Sequence, residues 1–314
     1  MIVCMPAVGM SDNADGEELG ILTPSSSLLG RRRPGRMTSL CVNVDYFKLN
    51  ESNGDFDLEA FYEIGESLGQ GTTGVVQRGR RLSDGLVVAV KFMRSDDPEL
   101  VDVSRKEYEL LKSIQHPHII KALDFHGIRN GTALILEYFE SKTLAQVMRG
   151  VRGKLLPAGT VRKLFLQLVQ AVNHLHEQNI MYRDLKPDNI LVSLDCKELK
   201  LVDFNTSRRT LEGEALTMTG DLRYMPPEVR RMEAYPSERS DIWSLGVCLY
   251  FMLSGRLPIE CLGVLSEPVV ASSQEPWSRC PQCCIEMLNG VLKLDPDARP
   301  TAAALLGSEW LQSS

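Results

Sequence analysis

The chain has 314 residues, 43% of them apolar and 24% charged, with a formal net charge of -6. That balance is ordinary for a soluble globular protein, argues against nucleic acid as a partner, and includes no apolar run near the ~20 residues that span a bilayer. Residues 1–10 lack a basic flank and run into Asp12, Asp15, Glu17 and Glu18. This is a poor signal peptide, so a cytoplasmic or nuclear location is expected, with the eight cysteines reduced. Cys280, Cys283 and Cys284 form one local cluster, but no second pair completes a four-ligand zinc set. They read as half-buried thiols at a helix start.

Residues 1–55 hold Ser25, Ser26 and Ser27, then Arg31, Arg32 and Arg33, with little apolar periodicity. A disordered N-terminal tail is expected there. The stretch 33–39 reads as a solvated basic linker rather than a docking or phosphorylation peptide. From residue 56 the texture changes. Residues 62–68 and 75–78 read as strands, Ser83-Asp84-Gly85 as a turn, and the β-branched run 87–90 as a third strand.

Between the first two strands lie Gly69, Gly71 and Gly74, followed by Val76. Alone, this spacing is a weak signal. A dinucleotide-binding fold requires a helix directly after the glycines, and here a strand follows. Glycines in a hairpin instead let the backbone approach a polyphosphate and offer N–H donors to it. Lys91 closes the apolar run Val88-Ala89-Val90, and an ammonium there needs a buried partner. Glu107 is the candidate, on a helix expected over 102–114 with Leu110, Leu111 and Ile114 on a related face.

Further on, Thr160 is the expected N-cap of a long helix striped by Val161, Leu164, Leu168, Val172 and Leu175. Then comes Tyr182-Arg183-Asp184-Leu185-Lys186-Pro187-Asp188-Asn189, a polar loop between two apolar runs. Asp203 follows the apolar residues Leu199, Leu201 and Val202, where a carboxylate suits Mg2+. A strand-rich first part and a helix-rich second part give an α+β class with two lobes.

With these motifs in order, the sequence resembles the eukaryotic protein kinase family of serine/threonine type, whose signature combines the same glycine loop, strand lysine and polar loop. The likeness continues through Pro226-Pro227-Glu228, Asp241-Ile242-Trp243-Ser244-Leu245-Gly246, and Asp295-Pro296 with Arg299-Pro300-Thr301. It implies a bilobal kinase domain over 56–312, with an N-lobe at about 56–139 and a C-lobe at about 140–312. It implies ATP and Mg2+ as cofactors, protein substrates, an upstream activating kinase and a monomer.

By that resemblance Asp184 would deprotonate the substrate hydroxyl and Lys186 would neutralise the γ-phosphate. Asn189 and Asp203 would hold Mg2+, and Lys91, positioned by Glu107, would contact the α- and β-phosphates. Adenine would lie between Leu68, Val76 and Ala89 above and Leu191 below. Its edge would meet the backbone from Glu137 to Phe139, with Leu136 guarding the deeper pocket. Glu228 would pair with Arg299. Thr206, Ser207, Thr210, Thr217 and Thr219 are acceptors in a segment resembling an activation loop, Thr217 foremost, with Arg183 to receive the phosphate. The five histidines, His116, His118, His126, His174 and His176, read as packing or surface residues rather than ligands.

The chain departs from the family pattern at four places. Tyr182 replaces a His, Pro226 replaces an Ala, and Asn205 replaces a Gly at a position expected to need positive φ. Asp221 follows Gly220 where a Thr is usual, and its carboxylate is expected either to pair with Lys186 or to repel Asp184. Asn205 and Asp221 are the support for an alternative, a pseudokinase that binds ATP as a scaffold. A small-molecule kinase is disfavoured by Pro226-Pro227-Glu228.

Overall fold

The computed structural model describes residues 56–71, 74–95, 97–150, 155–210, 220–258 and 276–313. The expected tail over 1–55, the linker at 33–39, Thr217 and Thr219 lie outside the described residues.

The first half builds one antiparallel sheet from β1 (Tyr62–Gln70), β2 (Val75–Arg81), β3 (Val87–Arg94), β4 (Ala122–Ile128) and β5 (Gly131–Glu137), in the order β1-β2-β3-β5-β4. Strand β3 is buried from Val88 to Met93, in keeping with its β-branched run and its central place in the sheet. The covering element is α1 (Pro98–Ser113). This helix begins one turn before the expected 102–114, because Pro98 occupies its first turn and the Asp97 carboxylate accepts the Glu99 N–H at 3.0 Å. Its inner face carries Ser104, Glu107 and Leu111. The Thr132 hydroxyl of β5 donates to the Ser104 hydroxyl at 2.9 Å.

The second half is mainly helical. It contains β6 (Ser141–Thr143), α2 (Leu144–Gly150), α3 (Ala158–Glu177), β7 (Ile180–Met181), β8 (Ile190–Ser193), β9 (Leu199–Leu201), β10 (Arg208–Arg209), α4 (Pro227–Arg230), α5 (Glu238–Ser254), α6 (Gln282–Val291), α7 (Ala302–Leu306) and α8 (Glu309–Gln312). Helix α3 buries Val161, Leu164, Leu168, Val172 and Leu175, the predicted stripe, together with Phe165, Val169 and Ala171. Thr160 is not its N-cap. Pro157 holds that position, its carbonyl accepting the Thr160 and Val161 N–H groups, so the helix starts two residues before Thr160. Helix α5 is buried without a break from Ser240 to Leu249, enclosing Ile242, Trp243, Leu245, Val247 and Leu249 together with Met252, which makes it the axis of this half. A Cβ on Gly246 would stand 2.6 Å from Val291, so α5 and α6 touch backbone to side chain there. Cys280 and Cys283 are half-buried and Cys284 is buried at the start of α6.

The expected Glu228–Arg299 pair is present. Arg299 donates from both terminal nitrogens to the two Glu228 oxygens at 2.8 Å, and also to the carbonyls of Lys293, Arg239 and Leu294. Its guanidinium is fully enclosed and lies 5.0 Å over the Trp243 ring. Removing one partner of a buried pair strands the other charge. Arg299→Ala is therefore expected to cost about 3–5 kcal/mol of stability, read as a lowered midpoint in urea unfolding, with Glu228→Ala adding little in the double variant.

Candidate active site

The sheet half contributes Lys91 and Glu107. Lys91 stands opposite Leu134 of β5 and Val76 of β2, in the most enclosed part of the sheet. Its ammonium donates to both Glu107 oxygens at 2.9 and 2.8 Å and to Asp203 Oδ1 at 2.7 Å. Burial works against the charged amine, but the two carboxylates outweigh it and keep Lys91 protonated. Burial also lifts the Glu107 carboxyl, against the opposing pull of Lys91. Glu107 Oε1 additionally accepts the Phe204 N–H at 3.1 Å, so α1 is pinned to the turn after β9.

The helical half supplies the polar loop. Between β7 and β8, the backbone N–H groups of Tyr182 and Arg183 donate to the carboxylate of Asp241, at 2.9 and 2.8 Å. Asp241 is 1% exposed and lies 3.0 Å from His176 Nε2 as well. The Tyr182 hydroxyl donates to the Val202 carbonyl, and its ring meets Phe204 edge-on at 5.0 Å. The tyrosine thus fills a core position. Arg183 and Asp203 both take left-handed φ values, 74° and 64°, rare for non-glycine residues.

The loop turns Asp184 inward, where Lys186 donates to Oδ2 at 2.6 Å and Asn189 Nδ2 donates to Oδ2 and to the backbone carbonyl, both at 2.9 Å. The Asp221 N–H reaches Oδ1 at 3.2 Å. Burial raises the Asp184 carboxyl above its ordinary value, with Lys186 and Asn189 pulling the other way. The described residues therefore form two bonded groups, Lys91–Glu107–Asp203 and Asp184–Lys186–Asn189, tied through the backbone by the Val202 N–H donating to the Asn189 carbonyl at 3.0 Å. The remaining acceptors suit a hard divalent cation. The Asp203 side chain is 21% exposed, and Asn189, its nitrogen spent on Asp184, has its amide oxygen left.

Above this set, Gly71 N–H donates to the Gly74 carbonyl at 2.8 Å, closing the glycine turn. Of the three glycines only Gly74 is sterically forced, since a Cβ there would lie 1.9 Å from the Phe92 carbonyl oxygen. Gly69 faces open space. Val76 and Leu191 are half-buried and Ala89 is buried, whereas Leu68 is exposed. Glu137 turns its carboxylate away, accepting from Lys121 N–H and Lys200 Nζ at 2.8 and 2.9 Å. The Phe139 carbonyl accepts the Ser141 hydroxyl at 2.8 Å.

Several expectations need correction. Asn205 is not the residue at positive φ in its turn; Asp203 is. Asp221 does not pair with Lys186. Its carboxylate is held by Arg223, a residue the motifs gave no reason to single out. Ser207 is buried, with its hydroxyl donated to the Tyr182 carbonyl at 3.1 Å, so it is closed as an acceptor in this conformation. The Thr206 and Thr210 hydroxyls are also bonded, to the carbonyls of Tyr182 and Asn179. The structural weight of Asp241 was not legible from its motif either. Four of the histidines pack in and beside α3. His116 stacks on His174 at 4.9 Å, and burial lowers its pKa to about 4. Among the described residues no cluster could hold a metal through three or more His, Cys, Asp or Glu side chains.

A two-lobed sheet-and-helix chain with this set of charges at its centre has the architecture of a protein kinase. Residues 62–311 match the protein kinase domain, and the chain belongs to that family. Among curated proteins, sperm motility kinase 2B of Mus musculus is 33% identical over 258 residues, covering 81% of this chain and 52% of the relative. Sperm motility kinase 3A of the same species is 33% identical over 257 residues, 81% of this chain and 50% of the relative. The CBL-interacting serine/threonine-protein kinase 5 of Arabidopsis thaliana is 29% identical over 265 residues, 81% and 58%. The chain spans about half the length of these relatives.

The glycine turn gives a direct test. Gly74→Ala forces a clash with the β3 backbone and is expected to cost about 1–3 kcal/mol, while Gly69→Ala stays within about 0.5 kcal/mol of wild type. Thermal unfolding of the two variants reads the difference.

Proposed function

We propose that the chain is an active protein kinase that transfers the γ-phosphoryl of ATP to serine or threonine hydroxyls of protein substrates. The observation that carries this reading is the closed Lys91–Glu107–Asp203 contact beside an Asp184 already bonded to Lys186 and Asn189. These contacts support the reading, because each charged group already has the partner that its proposed task would use.

In this reading Lys91, kept charged and oriented by Glu107, grips the α- and β-phosphates, and the backbone of the glycine turn lies over them. Leu68, Val76, Ala89 and Leu191 flank the adenine, and the backbone from Glu137 to Phe139 meets its edge. Asp203 and Asn189 are the residues that would hold Mg2+, which supplies charge neutralisation on the phosphates. Asp184 accepts the proton of the attacking hydroxyl, and Lys186 offsets the negative charge that builds on the transferred group. The raised position of the Asp184 carboxyl fits a general base. Lys186 in this loop, and relatives named as serine/threonine kinases, favour Ser and Thr over Tyr as acceptors.

Regulation by an upstream kinase through Thr217, and action as a monomer in the cytoplasm or nucleus, complete the proposal. Among the described residues no helix is long and apolar enough to cross a membrane. The second reading, an ATP-binding scaffold without turnover, draws on Asp221 standing beside the base.

Transfer from labelled ATP to a generic basic protein separates the two. Wild type is expected to transfer phosphate, and Asp184→Asn to lose about 10²–10⁴-fold of that rate, the range of a general base. Phosphoamino-acid analysis is expected to give phosphoserine and phosphothreonine. Folded wild type that binds ATP yet transfers nothing, even after treatment with an upstream kinase, would establish the scaffold instead. For the active enzyme, protonating Asp184 stops the reaction. The acid limb of kcat is therefore expected at a pH above the ordinary aspartate value of about 3.9, because burial raises this carboxyl.

A further inference from the structure

Asp221 brings a carboxylate to the edge of a site whose product and substrate are both anionic. Its backbone cannot retreat. The N–H is bonded to Asp184 Oδ1 at 3.2 Å, and the preceding Gly220, at φ 113°, lies so close that a Cβ would stand 2.9 Å from the Arg183 carbonyl oxygen. With the backbone held in this way, the direction of the Asp221 side chain decides where its carboxylate goes.

That direction is set by Arg223. Its Nε donates to Oδ1 and Oδ2 at 3.0 and 3.1 Å, its Nη2 donates to Oδ2 at 2.6 Å, and its backbone N–H donates to Oδ1 at 3.0 Å. Both carboxylate oxygens are therefore occupied. A forked guanidinium on a carboxylate fixes geometry in a way that a single ammonium cannot. The groups facing this pair are Tyr224 on its own segment, whose ring lies 5.7 Å from the guanidinium, and Asp184, Lys186 and Asp188 from the polar loop. Asp241 of α5 lines the same depression. Lys186 is the cation that would compete for Asp221, and it is already 2.6 Å from Asp184.

We propose that Arg223 is a positioning residue that withdraws the Asp221 carboxylate from Lys186, leaving that ammonium to Asp184 and to the transferred phosphoryl group. The inference rests on the kinase reading above and adds a group to its site. Burial opposes the charge on Asp221, but the Arg223 bonds prevail and hold its carboxyl below the usual range, so the clamp is ionic at neutral pH. Without Arg223, Asp221 swings to Lys186, draws it off Asp184, and adds a negative charge where the phosphoryl group must pass. The harm then comes through Asp221 and vanishes when residue 221 carries no charge.

The test is a double-mutant comparison. In the natural background Arg223→Ala is expected to lower kcat about tenfold, with KM for ATP changed by less than about twofold; in an Asp221→Thr background the same change is expected to cost less than about twofold in kcat. Equal losses in both backgrounds, or no loss in the first, overturn the proposal, because a merely structural arginine would not depend on residue 221. A crystal structure of Arg223→Ala provides a readout independent of turnover. The Asp221 carboxylate is expected within hydrogen-bond distance of Lys186 Nζ, and a carboxylate that stays where it is now refutes the clamp. Wild type that transfers no phosphate would overturn the kinase reading, and that structure would still decide the clamp.

Discussion

The structure depends on a buried ammonium. Lys91 sits in the central strand of the sheet, where an unpaired charge would be prohibitive, and it is neutralised by one carboxylate from α1 and another from the turn after β9. Because the partners come from separate elements, satisfying this one charge docks α1 on the sheet and joins the sheet half to the helical half. The Phe204 N–H on Glu107 repeats the same link through the backbone. Around it the apolar groups follow, with Phe204, Tyr182 and Leu111 in the same core. Two carboxylates facing one amine leave an excess of negative charge, which a divalent cation at Asp203 would offset.

A second buried carboxylate does similar work on the other side. Asp241 faces the amides of Tyr182 and Arg183, and its two oxygens give a loop without regular hydrogen bonding a fixed course. This lets Arg183 keep a left-handed φ that it would not hold in isolation. The polar loop is therefore anchored to α5, although its only regular structure is a 3-10 turn over Pro187–Asn189.

Much of this was legible in the sequence. Lys91 in an apolar strand demanded an acid, and Glu107 sat where a helix could deliver it. The stripe on α3 and the β-branched run of β3 announced their elements. The misreadings share a cause, which is that local chemistry was credited with choices made by neighbours. Thr160 is a good cap in isolation, but Pro157 could start the helix earlier. Asn205 tolerates positive φ, yet the turn places that demand on Asp203, whose carboxylate is held by Lys91. Asp221 was weighed only against the charges of the polar loop, while its true partner is two residues away on its own segment. Asp241 was visible in a motif but carried no sign that two amides 58 and 59 residues earlier would need it.

The division of labour between the halves has a consequence for control. Asp184, Lys186 and Asn189 all belong to one short loop moored to α5 through Asp241, so a separation of the two halves would leave their mutual contacts intact. The Lys91–Asp203 contact is different, because Lys91 belongs to the sheet half and Asp203 to the helical half. Opening by a few ångströms would break the contact between them and spare everything around Asp184. In the proposed reading, parting the two halves would separate the phosphate contact from the base without damage to either.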